Sequence, residues 1–170
     1  MQAKMKRSQL FQMLHAVNSL AQVKGTCRFA YSIAKNKKLL TDETELMRDT
    51  VKPTPELIKF DEGRVELCKI HADKDEKGEP KTENGNFVGL TKNSVFEKAL
   101  NEYREKNKAI LDAQKKREDD FNKLLEEEID FDFWEIKMSD IPDGVVGEQI
   151  EPLLPIINDG QEQIGLKKVE

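Results

Sequence analysis

Few of the residue types that carry metal, redox or acyl-transfer chemistry occur in this sequence. Its 170 residues include two cysteines, Cys27 and Cys68, and two histidines, His15 and His71. Two cysteines exclude a disulfide framework and suit a reducing compartment. Aromatic residues are 6 % of the chain, and the hydrophobic class reaches only 37 %. Long apolar runs are missing as well. The longest aliphatic stretches are pairs such as Val145-Val146 and Ile156-Ile157, whereas crossing a bilayer takes about 20 apolar residues. Membrane partners are therefore not expected. Lys4, Lys6 and Arg7 precede a helical pattern as in a signal peptide, but Gln9, Gln12 and His15 interrupt any apolar core of one. The expected location is the cytoplasm. No P-loop, dinucleotide-binding glycine pattern or nucleophile elbow is present. Neither catalytic residues nor a cofactor are expected.

Charge is what the chain has in quantity: 36 % of its residues are charged, with a mean hydropathy of −0.70. The formal charge of −5 hides an asymmetry, because no acid precedes Asp42. Up to that point lie Lys4, Lys6, Arg7, Lys24, Arg28, Lys35, Lys37 and Lys38, so residues 42–170 hold the other 20 cations against all 33 acids, a net −13. The basic segment either meets an acidic ligand, nucleic acid included, or packs against the acidic remainder of its own chain. A chain of 170 residues can hide about 70 % of its unfolded surface in one core. The expectation is one α+β domain, mainly α, over residues 1–158, with a loosely ordered tail at 159–170.

Helical periodicity dominates the pattern. Leu10, Met13, Leu14, Val17, Leu20 and Ala21 recur at three and four residues after a possible Ser8 cap, predicting a helix that ends near Gly25. A long second helix runs through Phe29, Ile33, Ala34, Leu40 and Met47, with no Gly or Pro before Pro53. Thr54-Pro55-Glu56 reads as a cap, a first-turn proline and a first-turn acid, restarting a helix with Leu57, Phe60, Leu67 and Cys68 inward. Asn84-Gly85 signals a tight hairpin within a loop at 79–90. Ser94 and Glu97 have capping-box spacing and open a helix with Phe96, Leu100, Tyr103, Ile110, Phe121 and Leu124 inward. Its polar stretch from Gln114 to Asp120 either projects beyond the core or meets a partner. A strand over 128–138 follows, in which a bulge near Phe133-Trp134 reconciles two apolar phases. The C-terminal run Ile150 to Ile157, broken by Pro152 and Pro155, forms a short helix or an apolar arm. The architecture expected is long antiparallel helical hairpins with a small β element.

Four groups of residues are candidate sites. Cys68 and His71 share a helix face, and with His15 and Cys27 they would make a tetrahedral zinc set; a buried Cys68 packing as a small hydrophobe is the simpler reading. Glu128, Asp130 and Asp132 form an acidic row, read as a solvated strand face that pairs with the basic N-terminus rather than as a cation site. Leu20-Ala21 followed by Gly25-Thr26 has helix-turn-helix spacing, and Arg28, Lys35, Lys37 and Lys38 on the next helix suit phosphate contacts. Tyr31 stands there where a branched aliphatic is expected. Phe131, Phe133 and Trp134, with Leu153, Leu154 and Ile157, are the candidate protein-binding or self-association surface, because aromatics on both faces of a strand require both faces to be covered.

At Phe29-Ala30-Tyr31-Ser32-Ile33-Ala34-Lys35-Asn36, at Lys74-Asp75-Glu76-Lys77-Gly78-Glu79-Pro80, and from Glu126-Glu127-Glu128-Ile129 to Ser139-Asp140-Ile141-Pro142, the chain resembles a family of small proteins encoded by tailed phages and prophages of Gram-positive and related bacteria. The similarity spans roughly residues 5–142 and rests on the order of segments; the Pro152 to Ile157 arm lies outside it. The family has no assigned activity, so no catalytic residue carries over. What the resemblance implies is a phage setting and non-enzymatic, stoichiometric binding of a host or defence protein. The alternatives are an oligomeric virion or assembly accessory, and nucleic-acid binding through the basic N-terminal helices.

Overall fold

The computed structural model describes residues 1–91 and 93–160; the residues expected to form a tail from 161 on lie outside it. The chain runs β1 (Gln2–Lys6), α1 (Arg7–Leu20), α2 (Cys27–Asp49), α3 (Pro55–His71), β2 (Thr82–Glu83), β3 (Asn86–Phe87), α4 (Ser94–Lys106), α5 (Lys108–Glu126), β4 (Glu128–Asp132), β5 (Ile136–Lys137), a 3-10 turn Met138–Asp140, α6 (Gly147–Ile150), a 3-10 turn Glu151–Ile156 and β6 (Ile157–Asn158). Helices account for 62 % and strands for 13 % of the described residues, so the protein is α+β and mainly α. None of the described helices is long and apolar enough to cross a membrane. Among the described residues two compact units form: residues 1–50 with 121–160, and residues 51–120.

In the first unit, α1 and α2 pack through stripes at helical spacing. Leu10, Met13, Ala16, Val17 and Leu20 are buried on α1; Phe29, Ile33, Leu40 and Met47 are buried on α2. Phe133, Ile136, Leu153 and Ile156 complete this core from the C-terminal side. Thr26 caps α2 by accepting the Phe29 N–H at 3.1 Å. Helix α1 starts one residue before the expected Ser8 cap, where the Gln9 side chain accepts the Lys6 backbone N–H at 2.8 Å.

The basic N-terminus is a strand. Residues Gln2 to Lys6 pair antiparallel with Glu128 to Asp132, Met5 opposite Ile129, so Met5 turns inward while Lys4 and Lys6 face out among acids. Lys4 meets Glu128 at 2.8 Å, Lys6 meets Glu126 at 2.7 Å, and Arg7 pairs with Glu127. Of the acidic row, Glu128 thus pairs with the N-terminal strand, joined by Glu126 and Glu127 just before it. The ribbon continues one pair further, because the Met1 nitrogen donates to the Phe133 carbonyl at 2.9 Å and the Phe133 N–H donates to the Met1 carbonyl at 2.8 Å.

The single strand expected over 128–138 is two strands. β4 ends at Asp132, and β5 pairs in parallel with β6, Ile136 opposite Ile157. No bulge is needed, since the shift of apolar phase at Phe133-Trp134 is the interval between them. The C-terminal arm folds as α6 and a 3-10 turn, with Leu153 and Ile156 in the core.

In the second unit Thr54 caps α3 by accepting the Leu57 N–H at 3.2 Å, with Pro55 in the first turn. Glu56 there bonds its own backbone N–H and the Thr54 hydroxyl, which hold its carboxyl below the usual range. Asn84 and Gly85 have φ of 50° and 79°, as a two-residue primed turn between β2 and β3 requires. The expected long helix from Ser94 is two helices, α4 and α5, interrupted at Asn107, whose φ of −109° and ψ of 17° leave the helical region. Its cap is Asn93, one residue before Ser94, accepting the Phe96 N–H at 3.1 Å. Phe60 stacks on Tyr103 with ring centroids 5.2 Å apart, and the Tyr103 hydroxyl donates to the Phe60 carbonyl at 3.1 Å.

A methyl group on Gly63 would lie 2.1 Å from that hydroxyl oxygen. Gly63→Ala gains about 1 kcal/mol of helix propensity, but displacing a stacked ring costs about 1–3 kcal/mol. Urea unfolding followed by circular dichroism should show a net loss of stability. The ribbon carries a pH signature. The hydrogen bond from Lys4, with its charge, holds the Glu128 carboxyl below its ordinary value, and bonds to Glu128 and Glu126 raise Lys4 and Lys6. A depressed carboxylate stabilises above its unfolded value and loses that contribution as pH falls through the folded one; the raised lysines lose theirs only in strong alkali. The backbone NMR shifts of Met5 and Ile129 should therefore stay constant around neutrality and drift toward coil values below about pH 4, less so at high salt.

Candidate functional site: an aromatic cleft beside a basic helix face

Arg28, Tyr31, Lys35 and Lys38 follow one another at intervals of three, four and three residues along α2, which at 100° per residue is one face of the helix. All four are exposed, while Phe29, Ile33, Asn36 and Leu40 take the core side. The stripe is about 15 Å long at 1.5 Å per residue. Lys37 is exposed too but projects on another side of the helix. The Lys35 ammonium lies 5.5 Å from the centre of the Tyr31 ring, within cation–π range.

Trp134 joins this stripe from the C-terminal part of the chain. Its ring meets Tyr31 edge to face, with centroids 5.4 Å apart at 81°. Such a pair in a core would be covered; here Tyr31 is 50 % and Trp134 47 % exposed. What fixes Trp134 is Asn36, a fully buried polar residue on the core side of α2. The Asn36 Nδ2 donates to the Trp134 carbonyl at 2.7 Å, and its Oδ1 accepts the Trp134 N–H at 2.8 Å. One amide thus satisfies both main-chain groups that the interrupted strand leaves without a ladder partner. The indole is consequently held outward while Phe133 points into the core.

Cys27, Arg28, Tyr31, Ser32, Trp134, Glu135, Lys137 and Asp140 line a cleft of about 680 Å³ at this pair. Its chemistry is mixed: two aromatic rings, two cations and two carboxylates. Among the described residues, no ion pair involves Arg28, Lys35, Lys38, Lys137, Glu135 or Asp140. The N-terminal cations therefore divide: Lys4, Lys6 and Arg7 are paired within the chain, and those of α2 face solvent.

The sequence-based candidates are regrouped accordingly. Phe133 and Leu153 are core residues, 4 % and 1 % exposed, and so present no surface to a partner. Phe131 and Ile157 are half-buried against the core, and Trp134 and Leu154 are exposed. Cys68 is buried, and His71, on the same helix, packs its ring 5.8 Å from that of Phe96. Among the described residues no group of three or more His, Cys, Asp or Glu is arranged to hold a metal. Tyr31 and Asn36 were not among the sequence candidates. A polar residue at a core position of the α2 stripe was the available signal for Asn36, and for Tyr31 it was the aromatic ring standing where a branched aliphatic is expected. No family model, curated protein or solved structure matches the chain.

Truncating the buried amide leaves two main-chain groups without partners, at about 1–3 kcal/mol each. Asn36→Ala should lower unfolding stability by about 2–4 kcal/mol and shift Trp134 emission to the red, both readable in one urea titration followed by fluorescence.

Proposed function

We propose that the protein is a non-enzymatic, stoichiometric binding protein whose ligand is single-stranded nucleic acid. The observation carrying this reading is the half-exposed Tyr31–Trp134 pair set into the cationic stripe of Arg28, Lys35 and Lys38. Exposed rings offer stacking platforms to unpaired bases of any sequence, and a row of cations tracks the phosphates between them. Duplex is disfavoured, because its bases are already stacked and Trp134 can engage one only after unstacking. The stripe's length of about 15 Å suits two or three phosphates.

A second reading, binding of a host or defence protein in the phage setting that the resemblance implies, is favoured by the presence of Tyr, Trp and Arg together, the residues enriched at protein hot spots. The loss of Phe133 and Leu153 to the core narrows the apolar surface available for it, and equally for self-association as a virion or assembly accessory.

Trp134 is the chain's single tryptophan, so stacking at the site is read directly. Adding a mixed-sequence single-stranded 12-mer at low salt should quench its fluorescence, and an equal duplex should not. Three phosphate contacts predict a log–log salt slope of about −2. Neutralising Arg28, Lys35 and Lys38 to Gln should weaken binding at least tenfold, while Lys37→Gln, off the stripe, changes it less than twofold. An unquenched Trp134 in a protein that stays monomeric with nucleic acid would sink the reading and move the search to a protein partner.

A further inference from the structure

Glu135 and Asp140 sit in the same cleft as Trp134, Arg28 and Lys137. Two carboxylates beside a track for a polyanion repel it, and at the contact they are not neutralised by any ion pair among the described residues. An ionised carboxylate is an acceptor only. It answers the N–H edge of a base, as Glu and Asp answer the cytosine amino group elsewhere. Glu135 is oriented, since its Oε1 accepts from Asn158 Nδ2 at 2.9 Å, which leaves its second oxygen to bond. Asp140 stands at the end of the 3-10 turn Met138–Asp140, and no hydrogen bond of its carboxylate occurs among the described residues.

We infer that the Trp134 cleft selects among stacked bases by their exocyclic amino groups, with Glu135 and Asp140 accepting from the base edge while Arg28 and Lys137 hold the adjoining phosphate. The inference rests on the single-strand reading above. Bases that present an amino group, cytosine, adenine and guanine, should be retained. Uracil and thymine should be rejected, because their one ring N–H between the carbonyls is flanked by oxygens that a carboxylate repels.

Cytosine and uracil make the cleanest comparison, since they share one ring and differ at a single edge, amine against carbonyl. The full chain is titrated with 12-mers of deoxycytidine and of deoxyuridine at neutral pH and low salt, following Trp134 quenching. The expected result is about tenfold tighter binding of the deoxycytidine strand, in line with one base-edge contact. In Glu135→Gln/Asp140→Asn the two strands should differ by less than twofold, because an amide donates as well as accepts. Equal affinity of the native protein for both strands, with quenching and salt dependence intact, would overturn base selection and leave single-strand binding standing. Absence of quenching with either strand would overturn both. The comparison of strands on the native protein decides the matter even if the double variant fails to fold.

Discussion

The amide of Asn36 is buried completely, makes two short hydrogen bonds, and spends both on one residue 98 positions away. A primary amide in an apolar core is tolerated only when its donor and acceptor are both satisfied, and the main chain of Trp134 satisfies them at once. This explains why the strand that ends at Asp132 stops there and the ribbon pairing goes no further than Phe133, since the N–H and carbonyl of Trp134 are no longer available to a ladder. It sets Phe133 inward and Trp134 outward, and so decides that the indole ring meets Tyr31 at the surface. The cleft, with its rings, cations and acids, depends on this one contact.

The contact is supported by how the chain distributes its charge. A strand of alternating apolar and basic residues, Gln2 to Lys6, lies against a strand of alternating acidic and apolar residues, Glu128 to Asp132. Their outer faces neutralise each other through exposed ion pairs. Such pairs contribute little apiece in water, and their greater effect is on register: a slip of the N-terminal strand by one residue would turn Met5 outward and lose its place opposite Ile129. Closing this ribbon holds the segment beyond β4 near α2. Arg28, Lys35, Lys37 and Lys38 in the first half of α2 take part in no ion pair among the described residues and face solvent. A net charge of −5 therefore coexists with a local basic face.

Much of the helical architecture was legible in the sequence because it is encoded locally. Thr54 with Pro55 announces a helix start, and the apolar stripes of α1 and α2 repeat at the period of the helix, whereas the cap of α4 is Asn93, one residue before the Ser94 that the capping-box spacing points to. Asn84-Gly85 states its turn outright, since both positions require positive φ. Less legible were the interruptions. Asn107 splits the helix expected from Ser94 by a local backbone excursion that no proline or glycine announces. The strand at the N-terminus, five residues long, was masked by the helical pattern that follows it, although Ala3 and Met5 alternate with Lys4 and Lys6. The candidate surfaces were read one segment at a time, which grouped Trp134 with Phe133 and Leu153 and separated it from Arg28 and Lys35.

The sequence by itself determined the class of the protein, the position of most helix starts, the Asn84-Gly85 turn and the separation of basic from acidic residues, because each follows from neighbours within a few positions or from composition. Which cations are neutralised, which aromatics are exposed and which residues share a cleft were decided only by the tertiary structure. Those properties depend on contacts spanning about a hundred residues, Lys4 with Glu128 and Asn36 with Trp134, where the chemistry of each partner is plain in the sequence and the pairing is not. A side-chain amide shows that it needs partners; only the folded chain supplies them.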